Sequence, residues 1–252
     1  MSERKANYWF RCLYLLTCPN LQRNIPTDSR TIDDSLGGGL PPESISLIYG
    51  EAETGKTTLA IQCAVNCAKQ NRKTLFVDCD NTFSVQRLNQ IASTQFLEVA
   101  ELIVLAKPRD FREQASLIDR LVEYITNNFG LAVIDTFTSL YRLRISESPS
   151  KTFELNRELN RQLAVLAQTA KTKKIAVVIT SQVHSVLDEV PVSVEPVATR
   201  VLKFWADTII ALRPTENPQN VEMTLEKVPR KLPPKTRNLR IEESGMHEYS
   251  RH

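Results

Sequence analysis

The chain has 252 residues, 42% of them hydrophobic and 24% charged, and a formal net charge of +3 from 32 basic and 29 acidic side chains. A chain of this length and balance can bury its own core, and the balance argues against wholesale disorder, a collagen-like repeat or a membrane bundle. No run approaches the ~20 apolar residues of a membrane span, and five cysteines without CxxC spacing suit reduced thiols of a cytoplasmic protein rather than a disulfide framework or zinc site.

In chain order, residues 1–22 come first. Arg11 interrupts the apolar stretch that begins at Tyr8, and no small-x-small cleavage site follows, so the segment does not read as a secretion signal. A poorly ordered extension is expected there, then a core over residues 23–245 and a C-terminal tail over 246–252. The runs 45–49, 75–79, 102–105, 131–135, 175–180 and 208–212 are continuous apolar segments bounded by turn signals, the pattern of strands buried on both faces. Leu117, Leu121 and Ile125 predict a helix before the fourth run. Leu155, Leu159, Leu163, Leu166 and Ala170 predict another after it, with Ser148 or Ser150 as its N-cap. Regular alternation of strand and helix predicts an α/β fold, a mostly parallel sheet with helices on both faces. Residues 221–227 and 237–241 then read as late antiparallel strands joined by a Pro-rich turn.

Five of the seven glycines fall between residues 37 and 55, and glycines gather where a backbone bends sharply or approaches a ligand. Gly50, Gly55, Lys56 and Thr57 fit G-x-x-x-x-G-K-[ST], directly after the first predicted strand and before a helix starting near Thr58. In such a loop the backbone from Gly50 through Glu51, Ala52, Glu53 and Thr54 to Thr58 cradles nucleotide phosphates. Lys56 reaches the β and γ oxygens, and the Thr57 hydroxyl sits on Mg²⁺. The predicted ligands are ATP and Mg²⁺. Glu51 and Glu53 are awkward here, since a carboxylate turned inward would repel phosphate. A second carboxylate for the metal is expected at the end of a neighbouring apolar strand, where Asp135 stands. Asp80, just past the second strand, is placed to orient water, with Asp78 as its competitor, and Gln182 is placed to report the γ-phosphate.

These residues belong to a wider pattern. The segments 25–26, 31–40 (TIDDSLGGGL), 48–58 (IYGEAETGKTT), 76–88 (FVDCDNTFSVQRL), 131–142 (LAVIDTFTSLYR) and 180–183 (TSQV) together resemble the core of the RecA/RadA recombinase family in order and spacing. The short length makes the chain most similar to the RadB branch, the archaeal RadA paralogues. The resemblance implies a RecA-type P-loop NTPase acting as an ATP-binding accessory in DNA repair and homologous recombination, with weak ATPase and little or no strand exchange. Its implied partners are DNA, single-stranded above all, a RadA-type recombinase and a junction-resolving nuclease, in a monomer or small homo-oligomer. It also assigns roles: Lys56 and Thr57 to phosphate and Mg²⁺, Asp135 to the Walker B carboxylate, Asp80 to the catalytic carboxylate and Gln182 to the sensor. A first DNA loop would fall near residues 141–150, with Arg142, Arg144 and a base-stacking Tyr141. A second would run from His184 to Thr199. Lys227 and Arg230 match the basic strand end that lies near ATP in neighbouring subunits.

The basic charge is local. Residues 227–240 carry Lys227, Arg230, Lys231, Lys235, Arg237 and Arg240 with no acid, and removing these six from 32 leaves 26 basic against 29 acidic residues. The segment fits either a solvated hairpin face or an edge that meets a polyanion. Three departures from the family qualify the expectation. Asp80 stands where active recombinases carry glutamate, which predicts slow hydrolysis. The second loop lacks paired glycines and carries Asp188, Glu189 and Glu195. The Phe-x-x-Ala segment through which full recombinases of the family polymerise is not recognised, since the pattern's one occurrence, Phe129 to Ala132, runs into the fourth apolar run, so long filaments are not expected. Two other readings stand beside this one: a nucleotide-switched protein-binding module of the RecA/KaiC superfamily, and a P-loop kinase for a small molecule, against which no arginine-rich lid is found.

Overall fold

A computed structural model describes residues 23–183, 197–230 and 232–249. Its centre is one nine-stranded sheet in the order β3-β2-β4-β5-β1-β6-β7-β8-β9. The strands are β1 (Ser44–Gly50), β2 (Lys73–Asp78), β3 (Ile103–Ala106), β4 (Phe129–Asp135), β5 (Ala176–Gln182), β6 (Thr208–Pro214), β7 (Asn220–Lys227), β8 (Lys235–Glu242) and β9 (Gly245–Glu248). Pairings among β1 to β6 are parallel, and those from β6 through β9 are antiparallel.

Successive side chains on a strand point to opposite faces, and the central strands feed two cores. Leu131 and Val133 of β4 and Ala176 and Val178 of β5 join one, which also holds α1 (Arg30–Leu36), α2 (Lys56–Lys69), α3 (Val85–Ala92) and α4 (Phe96–Ala100). Ala132, Ile134, Val177 and Ile179 join the other, beneath α5 (Phe111–Asp119), α6 (Leu121–Tyr124), α7 (Ser139–Glu147), α8 (Thr152–Lys173) and α9 (Val197–Trp205). The expected α/β sheet covered on both faces is what forms. Strand β7 differs: Val221, Met223 and Leu225 are buried while the residues between them are half-exposed, as in an antiparallel strand with one face toward solvent.

Four local expectations are corrected. Most of the stretch 141–150, read as a first DNA loop, lies in helix α7 (Ser139–Glu147). Its Tyr141 is buried edge-to-face against Phe111, with the hydroxyl on Asn156, so that ring is a core residue and not a stacking platform. The helix expected through Leu117, Leu121 and Ile125 breaks at Arg120 into α5 and α6. Neither Ser148 nor Ser150 caps α8: a 3-10 turn, Pro149–Lys151, runs straight into it and leaves no extended residue to serve as a cap. Finally, Met246, His247 and Glu248, read as tail, form β9, and the Glu248 carboxylate accepts from the Ser29 hydroxyl at 2.5 Å, the Thr31 amide at 2.7 Å and the Thr31 hydroxyl at 3.1 Å. At its far end α8 stops on Lys174, whose φ of +55° is left-handed and whose amide meets the Ala170 carbonyl. The expected extension over residues 1–22 lies outside the described residues. Among the described residues no helix is long and apolar enough to cross a membrane.

Candidate phosphate-loop site

Four adjacent parallel strands, β2, β4, β5 and β1, end on the same edge of the sheet. Register pairs Gly50 with Gln182 and Asp78 with Asp135, so the residues singled out at separate points of the sequence meet at one crevice beyond the strands' carboxyl ends, where open α/β sheets bind ligands.

The loop from Gly50 to Lys56 is held by its own contacts. Gly55 has φ +83°, a conformation that favours glycine. The buried Thr54 hydroxyl donates to the Glu51 carbonyl at 2.9 Å, and Lys56 Nζ donates to the same carbonyl and reaches Thr54 Oγ1 at 3.5 Å. Burial pushes the Lys56 amine below its ordinary value, while the charges of Asp135 and Asp80 oppose that shift. Glu53 is exposed, with φ +62°. Thr57 and Thr58 lie in the first turn of α2, and Cys63 and Cys67 further along it are buried, as helix core positions should be.

The three aspartates are separated by their partners. Asp78 is buried and accepts from the Thr82 amide at 3.0 Å and the Phe83 amide at 3.2 Å, with Lys107 Nζ at 3.1 Å. Both of its oxygens thus serve to fold the turn that carries Asp80. Asp80 is half-buried, and its charge acts on Lys56, Asp135 and Arg142. Asp135 is fully buried: Thr180 donates to Oδ1, and among the described residues Oδ2 has no hydrogen-bond partner. Burial pushes this carboxyl up, and the Thr180 and Thr57 hydroxyls pull it back.

Arg142 turns inward. Its guanidinium donates to the Gln182 carbonyl and feels the charge of Asp80, so it links the end of β5 to Asp80. Arg144 pairs with Glu147 at 3.0 Å on the outer face of α7. Lys227 Nζ donates to the Ala206 carbonyl at 2.5 Å, and Lys235 Nζ to Ser35 Oγ at 3.0 Å. Arg230 is exposed near Gly37, and Arg237 is exposed on β8. The structure therefore brings Lys56, Thr57, Asp80, Asp135, Gln182 and Arg142 together and sets Arg144, Lys227 and Arg230 apart from them. His184 and Lys231 lie outside the described residues. Lys107 and Thr180 were missed from sequence; a lysine after β3 and a threonine inside an apolar strand give no signal without the register that aligns them with Asp78 and Asp135.

A parallel sheet with this loop between β1 and α2, and a carboxylate closing β4, defines a P-loop NTPase of RecA type. The Rad51 family model matches residues 22–249. The DNA repair and recombination protein RadB of Methanothermobacter thermautotrophicus is 34% identical over 200 residues, covering 78% of this chain and 83% of that protein. RadB of Methanosphaera stadtmanae is 30% identical over 224 residues, covering 88% and 94%. The crystal structure of a RadB recombinase superposes with a TM-score of 0.76 at 31% identity over 90% of this chain and all of that one. The chain belongs to the Rad51 family and, within it, to the RadB-type DNA repair and recombination proteins.

Proposed function

We propose that this protein binds ATP with Mg²⁺ at the phosphate loop, hydrolyses it slowly, and serves in the cytoplasm as a DNA-binding accessory to recombination. The observation that carries the reading is Asp135 Oδ2, a buried carboxylate oxygen without a donor among the described residues. Leaving such an atom unpaired costs on the order of 1–3 kcal/mol, and a cation held between it and the Thr57 hydroxyl supplies the missing partner. Mg²⁺ would fit this all-oxygen pair, and it would supply positive charge to neutralise nucleotide phosphate oxygens. Lys56 binds the same phosphates as a fixed positive charge. Asp80 orients the attacking water, and Arg142, tied to the Gln182 backbone, keeps the sensor in line with that acid.

Slowness follows from one methylene. Aspartate instead of glutamate at position 80 shortens the reach by about 1–1.5 Å, roughly one C–C bond, and a misplacement of about 1 Å costs ~10²-fold in rate. The expected partners are single-stranded DNA, a RadA-type recombinase and a junction-resolving nuclease. DNA would be met by the exposed Arg230 and Arg237 with Lys231, through phosphate contacts whose contribution falls with salt. A second reading, a nucleotide-switched binding module without a DNA role, draws support from Lys227 and Lys235, whose amines are engaged within the fold.

The test is ATP turnover by the purified protein with and without single-stranded DNA, using Lys56→Ala as the blank. The expected result is bound ATP with feeble turnover that DNA changes little. Brisk, DNA-stimulated hydrolysis would overturn the accessory role in favour of an active recombinase. Neutralising Arg230 and Lys231 separates the two remaining readings, because DNA affinity is lost only if the basic edge is the DNA contact.

A further inference from the structure

We propose that the β8–β9 hairpin is a built-in seat for the phosphate loop, and that Gln62 is the positioning residue that holds it there; the proposal rests on the reading that this loop takes nucleotide phosphates. Ile241 and Met246 are cross-strand partners in the hairpin, so their side chains share one face. That face lies against Gly55. A Cβ added at Gly55 would stand 2.7 Å from Met246 Sδ and 3.2 Å from Ile241 Cδ1. The turn before Lys56 is thus bounded from behind by two side chains nearly two hundred residues away in sequence, and Met246 is fully buried in that position.

The hairpin cannot slide on this seat, because Gln62 fixes its register. From α2, the Gln62 amide donates to the Met246 carbonyl at 3.2 Å and to the Thr27 carbonyl at 2.7 Å, while its oxygen accepts from the Met246 amide at 2.7 Å. This fully buried side chain makes with Met246 the paired bonds of a strand neighbour and ties the same point to the segment before α1. Gly245 is required beside it: at φ +130° a Cβ there would meet Gln62 Oε1 at 2.3 Å. A second tie closes the hairpin's turn, where Arg87 of α3 donates to the Glu242 carbonyl at 2.6 Å and the Glu243 carbonyl at 3.0 Å. Because α3 follows the turn that carries Asp80, the hairpin is fastened to both elements that flank the crevice. An empty space behind Gly55 would let the loop's backbone amides rotate away from the phosphate position, so loosening the hairpin should weaken nucleotide binding before it unfolds the protein.

The experiment is a titration of the full chain with a fluorescent ADP analogue and Mg²⁺, alongside thermal melts of the nucleotide-free protein. Met246→Ala and Gln62→Leu are expected to weaken binding about tenfold, the scale of coupling between packed neighbours, and Met246→Leu, which refills the seat, to restore it to within about twofold. Leu163→Ala, a core truncation on the opposite face of the sheet, should lower the melting midpoint and leave affinity unchanged. Should Gln62→Leu fail to fold, Met246→Ala carries the test through amide exchange, with residues 51–58 exchanging faster than in the wild type. Wild-type affinity in Met246→Ala, or an equal loss of affinity in Leu163→Ala, overturns the proposal. Absence of binding by the wild type overturns the nucleotide reading itself, and this proposal with it.

Discussion

Two strand-end carboxylates, Asp135 in the parallel half of the sheet and Glu248 in its antiparallel extension, are handled in opposite ways. At the end of β4, Asp135 is wholly buried and keeps one oxygen without a donor among the described residues. At the end of β9, Glu248 collects three donors from Ser29 and Thr31 and thereby fastens the extension to α1. A buried polar group left open is a cost to the fold and is kept where chemistry needs it, whereas a saturated one stabilises structure. Asp135 holds an open oxygen at the candidate site, and Glu248 fastens the extension.

Isosteric changes of the two acids sharpen this contrast. Asp135→Asn should reduce phosphate release by about 10²–10³-fold, the scale of one lost electrostatic contact to the reacting charge, while its thermal midpoint is no lower than that of the wild type, because the buried charge is gone. Lower stability in this variant would show that Asp135 is a structural acid after all. Asp80→Glu should act in the other direction and raise turnover by up to about 10²-fold, measured in the same assay. Glu248→Gln should destabilise the fold by about 1–2 kcal/mol in urea denaturation, since the charge-assisted bonds from Ser29 and Thr31 become weaker neutral ones. The smallest effect concerns pH. Burial, and then the hydrogen bond to Glu226, push the Tyr49 phenol above its ordinary 10. The folded value exceeds the unfolded one, so this contribution is intact below pH 10 and is lost as pH rises through the raised value. Tyr49→Phe should flatten that alkaline loss in a pH series of melts.

The same division explains what could be read from sequence. Strands β1, β2, β4 and β5 are buried on both faces, so each leaves an uninterrupted apolar run, and the glycines, Lys56 and Asp135 sit at the ends of those runs where the eye is drawn. The pairing of Asp78 with Thr82, Phe83 and Lys107 left no such mark, because it depends on how a turn folds back. Helix α7 was invisible for a related reason: Leu140 and Tyr141 are its buried residues, too few to set a period against the charged residues around them. Strand β9, four residues long, is defined by its partners Leu239 to Glu242 and by Gln62 rather than by any pattern of its own.

Lys174, where α8 ends, leads to a different kind of consequence. A left-handed residue at a helix end is where glycine is preferred, and a side chain there carries a steric cost of roughly 1 kcal/mol. The lysine's one electrical benefit, a positive charge at the negative end of the helix, is duplicated by Lys171 and Lys173 in the last turn. Heat tolerance has therefore been left ungathered at a position remote from the crevice, and a lineage moving to hotter water could take it there with a single codon while the phosphate loop stayed as it is.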